Sequence, residues 1–126
     1  LLFRHPDEVE DPYTTDGFAV SHYAGSSHIF TPDVPIGIRD VTDGASNTLM
    51  VGEVGAGYKA WGDPTNVRDP ANGIRVSDDT FGRLGDPLGA NMLMVDGSIR
   101  FISSDIDPEV LTALSTYDGG EPVGEF

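Results

Sequence analysis

The sequence contains no cysteine, few basic residues and no long apolar run. Without cysteine there is no disulfide framework, no thiolate metal site and no cysteine nucleophile. Only 7 Lys and Arg oppose 21 Asp and Glu, giving a net charge of -14, and no basic cluster is present to neutralise a row of phosphates, so nucleic acid is not an expected partner. No segment approaches the ~20 apolar residues of a membrane helix or resembles a signal peptide.

The length and composition favour one folded domain with many turns. A chain of 126 residues can bury a single core, and its 38% hydrophobic and 22% charged residues are ordinary for a globular protein. The 16 glycines and 9 prolines predict short elements. We expect one domain over residues 1–126, with an irregular leading segment at 1–17, a core at 18–117 and a tail at 118–126. Because the chain begins with Leu1, we expect a fragment of a longer protein.

Two stretches of β-forming residues predict strands. These are residues 18–25 (FAVSHYAG) and residues 47–54 (NTLMVGEV). Regular alternation in the second strand would place Leu49 and Val51 on one face, and Gly52 indicates a bulge or a close backbone neighbour.

A long polar loop is expected at residues 62–90, after a short strand in the YKAW stretch. It contains the repeat DPTN and DPAN, in which proline follows Asp63 and Asp69. Aspartate in this position hydrogen-bonds the backbone two residues on, so the repeat predicts two turns without a ligand.

The stretch ANMLMVDGSIRF predicts a β-hairpin because Asp-Gly stands between two apolar runs. A two-residue type I′ turn at Asp96 and Gly97 would pair Met94 with Ile99 and Met92 with Phe101. In this register those four apolar residues form one core face, and Ser98 and Arg100 lie on the other.

A short helix is predicted over residues 107–117. Asp107 suits the N-cap, Pro108 the first helical position and Glu109 the positive end of the helix dipole. The buried stripe is expected to comprise Val110, Leu111 and Leu114. The predicted fold is therefore an α+β single domain dominated by an antiparallel sheet, with a short C-terminal helix and long loops.

Oxygen ligands are densest at a corner that contains Asp40, Asp43, Asn47 and Glu53. Calcium binds such groups together with backbone carbonyls, which makes this corner a candidate calcium site, although no EF-hand pattern is present. Asp43, Gly44 and Asn47 are equally well explained as a turn. The identity of any metal stays undetermined, and no other cofactor is expected.

Catalysis is not predicted, because the sequence has no nucleophile elbow, phosphate loop or zinc-protease helix. A binding module is the alternative, with Trp61 and the 62–90 loop as a platform for a sugar or small solute. Candidate ligand-binding residues are Asp40, Asp43, Glu53, Trp61 and Asp86.

Three blocks in order, DVTDGASNTLMVGEV, GANMLMVDGSIRFIS and LTALSTYDGGEPVGEF, resemble the bacterial prepilin-type proteins with an H-x9-D-G signature, which are also labelled solute-binding-like. The resemblance covers residues 36–126 best. Asp96 and Gly97 match the Asp-Gly of the signature, whereas Asp86 stands where the family has histidine.

The resemblance implies a pseudopilin-like head that follows a cleavage motif and a long apolar helix. It implies export to the cell surface or periplasm, a membrane-anchored full-length protein of which this fragment is soluble, and protein partners or self-assembly through the absent helix. We therefore expect a non-enzymatic structural or protein-interaction head, with binding of a sugar, small solute or calcium as the alternative.

Overall fold

The computed structural model describes residues 17–42 and 44–119. The strands are β1 (Val20–Ser21), β2 (Tyr23–Ser26), β3 (Leu49–Glu53), β4 (Lys59–Ala60), β5 (Val67–Arg68), β6 (Gly89–Met94) and β7 (Ile99–Ser103), and the helix is α1 (Pro108–Ser115). Single 3-10 turns lie at Ile38–Asp40, Ala45–Asn47 and Pro70–Asn72. The predicted α+β class is confirmed. Within the described residues, no helix has both the length and the apolar character needed to cross a membrane.

The main sheet has five strands in the order β5-β2-β3-β6-β7. Only the β2–β5 pair is parallel. The predicted continuous strand at residues 18–25 is wrong, because the chain changes sheets at His22. Before it, β1 pairs with β4 in a separate two-stranded sheet, and after it β2 joins the main sheet.

The β6–β7 hairpin forms, but its predicted register is wrong by one residue. Leu93 pairs with Ile99, and Met92 pairs with Arg100. Among the described residues only glycines have positive φ, so Asp96 does not adopt the type I′ conformation, while Gly97 has φ 88°. The Gly97 amide donates to the Met94 carbonyl at 3.0 Å. The loop is therefore a three-residue turn with a glycine bulge.

The shifted register moves β7 side chains to the opposite faces from those predicted. Ile99 is 71% exposed and Phe101 is 48% exposed, whereas Ile102 is 1% exposed. The Asp96 carboxylate accepts hydrogen bonds from the Ser98 amide at 2.8 Å and from its hydroxyl at 2.6 Å. These bonds satisfy the amide next to the bulge and stabilise the longer turn.

A bulge also interrupts β3, at Met50 rather than at Gly52. Leu49 pairs with Met94 while Val51 pairs with Leu93, so Leu49 and Val51 lie on opposite faces and the predicted shared face is wrong. The close neighbours of Gly52 are side chains rather than the predicted backbone, because a Cβ there would collide with the side chains of Met92 and Phe81.

The core lies on one face of the sheet, where α1 and the 3-10 turn at Pro70–Asn72 pack together. The Asp107 carboxylate caps α1 by accepting from the Glu109 amide at 2.8 Å. Leu111 and Leu114 are buried as predicted, whereas Val110 is only partly buried against the core cluster. The helix ends at Ser115, earlier than predicted, because Thr116 is already extended. The buried core cluster comprises Ala24, Leu49, Val54, Ile74, Phe81, Ala90, Met92, Met94, Ile102, Leu111 and Leu114.

The predicted uninterrupted loop at residues 62–90 is wrong, because β5 (Val67–Arg68) joins the edge of the main sheet within it and β6 already begins at Gly89. The remaining segments are organised by turns and by one buried arginine. Asp63 accepts from the Thr65 amide at 2.8 Å and Asp69 accepts from the Ala71 amide at 3.0 Å, which confirms the two predicted turns. Arg68 is only 6% exposed. Its guanidinium donates to four backbone carbonyls, those of Ala56, Gly57, Ser77 and Thr80.

Candidate functional site

The face of the sheet opposite the core carries a row of mostly apolar residues. Strand pairing aligns one residue from each of the five strands, and aligned residues point to the same face. The aligned residues are Val67, Gly25, Val51, Leu93 and Ile99. Because the neighbouring residues Ala24, Gly52 and Met92 face the core, this row lies on the opposite side.

A second row lies beside the first. Tyr23 pairs with Glu53 and Asn91 pairs with Phe101. The two pairs are joined because Glu53 Oε2 accepts a hydrogen bond from the Asn91 amide at 2.7 Å. We call the surface formed by both rows, together with Phe30 and Trp61, the open face.

The open face exposes large apolar side chains. Besides Ile99 and Phe101, Trp61 is 59% exposed and Phe30 is 47% exposed. Contiguous exposed apolar surface on a small domain is typical of an interaction site. The open face is therefore the candidate functional site.

Phe30 reaches the open face because residue 25 is glycine. The amide of Phe30 donates to the Ser26 carbonyl at 2.9 Å, which turns the chain back after β2. A Cβ on Gly25 would collide with the Phe30 ring, so the ring lies directly on the backbone of β2. The absence of a side chain at position 25 thus creates the place for the ring.

Two adjoining grooves cross the open face. One has a volume of about 470 Å³ and is lined by residues that include Tyr23, Phe30, Val51 and Trp61; we call it the aromatic groove. The other, of about 340 Å³, extends toward β7 and is lined by residues that include Tyr23, Val51, Leu93 and Ile99. We call the surface formed by Val51, Leu93, Ile99 and Phe101 the edge half.

Glu53 supports the centre of the open face. Its side chain is buried, and the residue is 4% exposed. Burial raises the pKa of Tyr23, the negative charge of Glu53 raises it further, and Arg83 partly opposes this effect. The phenol of Tyr23 is therefore neutral at physiological pH.

The turn that contains Gly44 and Asn47 lies next to the hairpin turn that contains Asp96 and Gly97. The Asp96 amide donates to the Ala45 carbonyl at 3.0 Å, and the Val95 amide donates to the Thr48 carbonyl at 3.0 Å. Gly44 has φ 96°, and the Asn47 amide donates to its carbonyl at 3.0 Å. Asp43 lies outside the described residues.

The other sequence-predicted site residues occupy separate places. The Asp40 carboxylate accepts from the Gly37 amide at 2.8 Å within its own 3-10 turn. Asp86 accepts from the Leu88 amide at 3.0 Å and lines a cavity of about 410 Å³ that also contains Arg75. Trp61 lies on the open face.

Over 17–42 and 44–119, no three His, Asp or Glu side chains are grouped so that they could hold a metal ion. His22 is buried beside Tyr58, with ring centroids 4.6 Å apart, and His28 Nε2 lies 2.9 Å from Asp69 Oδ1.

Sequence reasoning identified Trp61 but missed Phe30, Ile99 and Phe101 as parts of one surface. The exposure of Ile99 and Phe101 depends on the hairpin register. The available signal for Phe30 was Gly25 in the preceding strand, since a glycine in a strand indicates close approach by another group.

The fold and the open face define a small α+β domain whose single main sheet is covered on one side. The chain belongs to the family SBP_bac_10, described as "Protein of unknown function (DUF1559)", whose model matches residues 2–82. That match includes Phe30 and Trp61 but ends before the hairpin. No curated protein and no solved structure matches the chain.

Proposed function

We propose that this domain is the non-enzymatic head of a pilin-like exported protein and that its edge half docks an apolar helix. The observation that carries the proposal is the exposure of Ile99 and Phe101 on the same face as Val51 and Leu93. Membership of a family of bacterial exported proteins supports export to the cell surface or periplasm.

The dimensions of the edge half suit one helix. Neighbouring strands lie about 4.8 Å apart, so β3, β6 and β7 together span about 10 Å between the outer two. An α-helix with its side chains is about 10–12 Å in diameter. A helix lying over these three strands would cover Val51, Leu93 and Ile99, and Phe101 lies in the adjoining row.

Burial of the edge half would supply a useful free energy of docking. Full burial of a large aliphatic or aromatic side chain contributes about 1.5–3 kcal/mol. In the domain, Ile99 is 71% exposed to solvent and Phe101 is 48% exposed. Covering both would therefore contribute about 2–4 kcal/mol before the cost of ordering the helix.

The test compares Ile99→Thr in the complete exported protein and in the 126-residue chain. Threonine keeps the β-branched shape and removes apolar surface. In the 126-residue chain, we expect a change in the free energy of unfolding within about 0.5 kcal/mol, because Ile99 is exposed. In the complete protein, we expect a loss of about 1–2 kcal/mol.

Leu88→Thr is the matched control, because Leu88 is 69% exposed and lies outside the open face. We expect a small effect in both proteins. Equal effects of Ile99→Thr in the two proteins would reject helix docking at the edge half.

Ligand binding is the second candidate function, and the aromatic groove favours it. This groove extends toward β5, on the side of the open face away from Ile99 and Phe101, and meets the edge half at Val51 of β3. The two functions therefore use neighbouring parts of the open face that share Val51.

A further inference from the structure

The aromatic groove combines three aromatic rings with a carboxylate. Its lining includes Tyr23, Phe30 and Trp61, together with Asp63 and Asn66. No lysine or arginine is among the described residues that line it. Its volume of about 470 Å³ falls in the range of small-molecule sites.

The groove is held in shape before any ligand arrives. Lys59 Nζ donates to the Thr65 carbonyl at 2.8 Å, and the Asn66 side-chain amide donates to the Tyr23 carbonyl at 3.0 Å. These bonds fix the loop that follows Trp61, while Gly25 leaves room for the Phe30 ring against the backbone of β2. Preorganised side chains lower the entropic cost of binding.

The charge of the groove selects among ligands. Hydrogen bonds from Thr65 lower the pKa of Asp63, so its exposed carboxylate is negative at neutral pH. The chain as a whole carries a net charge of -14, which repels anions and concentrates cations. Aromatic ring faces are also negative and attract ammonium groups.

We propose that the aromatic groove binds an organic cation of the quaternary-ammonium class, with Tyr23, Phe30 and Trp61 contacting its methyl groups and Asp63 supplying the opposite charge. The same trimethylammonium chemistry occurs in free choline-like solutes and in lipid headgroups. This site goes beyond helix docking and does not depend on it.

Trp61 is the one tryptophan of the sequence, so its fluorescence reports directly on the groove. The chain is titrated with choline chloride and, separately, with 3,3-dimethylbutan-1-ol, which has the same shape without the charge. Sodium chloride keeps the ionic strength equal. We expect a saturable response to choline and binding at least tenfold weaker for the neutral alcohol.

Further titrations separate the two sources of the trimethylammonium group. Phosphocholine and phosphatidylcholine vesicles are compared with choline under the same conditions. Tighter binding to vesicles would assign a lipid surface, whereas equal or tighter binding to free choline would assign a soluble ligand. Either result supports the proposal.

Variants locate the binding. Phe30→Ala should weaken choline binding at least tenfold, and Leu88→Ala should leave it unchanged. Asp63→Asn retains an oxygen acceptor for Thr65 but loses the charge, so it should weaken choline binding and leave the neutral alcohol unaffected. Circular dichroism checks that each variant folds. If Phe30→Ala does not fold, the result for Asp63→Asn decides the test.

The proposal is overturned if the neutral alcohol or a neutral sugar binds as tightly as choline. It is also overturned if Asp63→Asn, or a folded Phe30→Ala, binds choline like Leu88→Ala. Absence of saturable binding up to about 10 mM choline would reject it as well, because that limit leaves less than about 3 kcal/mol of binding free energy.

Discussion

Replacement of Arg68 by methionine should strongly destabilise the domain. The guanidinium joins two loop segments, because it donates to carbonyls at residues 56–57 and also to the carbonyls of Ser77 and Thr80. Methionine has a comparable length and fills the space, but it donates no hydrogen bond. The substitution therefore removes the connections with little change in packing volume.

The magnitude follows from what the carbonyls lose. A buried polar group without a partner costs about 1–3 kcal/mol, and Thr80 is fully buried at 0% exposure. Ala56, Gly57 and Ser77 lie nearer to water, so their carbonyls recover part of the loss. Burial lowers the pKa of Arg68, which shows that the charged guanidinium is desolvated. Removing this charge therefore returns part of the lost free energy of unfolding. We expect a net loss of about 3 kcal/mol.

The assay is urea unfolding followed by circular dichroism at neutral pH. Arg75→Met is the control, because Arg75 is exposed and its guanidinium donates to the Asn72 carbonyl at 2.8 Å. We expect a control effect within about 0.5 kcal/mol. If Arg68→Met is as stable as Arg75→Met, the cost of desolvating the guanidinium equals the free energy that its hydrogen bonds contribute. That result would refute the reasoning.

Two further predictions concern the open face and the hairpin. Gly25→Ala should cost about 1–3 kcal/mol because its Cβ displaces the Phe30 ring, while Gly62→Ala, whose Cβ would meet no atom within 4 Å, should be nearly neutral in the same urea assay. Hydrogen bonds from Ser98 lower the pKa of Asp96 in the folded state, so its stabilisation is complete above about pH 5 and is lost as the pH falls through the folded pKa. Urea unfolding from pH 7 to pH 2 should show a weaker pH dependence for Asp96→Asn than for the parent chain; identical curves would contradict this assignment.

Local signals were sufficient to predict the C-terminal helix. Asp107, Pro108 and Glu109 act within one turn of the chain, so their effect needs no tertiary information. The hairpin was harder, because Asp-Gly fits both a two-residue and a three-residue loop. The two loops differ in the φ of Asp96, and the neighbouring Ala45 carbonyl and Ser98 favour the longer one.

The candidate site depends on contacts between distant parts of the chain. Trp61 could be selected as a rare aromatic residue, but its position beside Phe30 follows from β2, β4 and the loop after β2. The change of sheets at His22 and the four hydrogen bonds of Arg68 are likewise long-range features. Periodicity in a single stretch does not contain this information.

The proposed docking places a helix over the edge half in the complete protein. The 126-residue chain has no cysteine, so Ile99→Cys and Leu88→Cys each introduce a single reactive thiol into it. The two parent side chains have nearly equal exposures of 71% and 69%. The most direct measurement is the rate of maleimide labelling of both variants, in the 126-residue chain and in the complete protein.

We predict similar labelling rates for the two variants in the 126-residue chain. In the complete protein, the Ile99→Cys variant should label at least tenfold more slowly than the Leu88→Cys variant, since a docked helix covers only the edge half. Equal rates in the complete protein would show that position 99 remains open to solvent and would contradict the proposed docking.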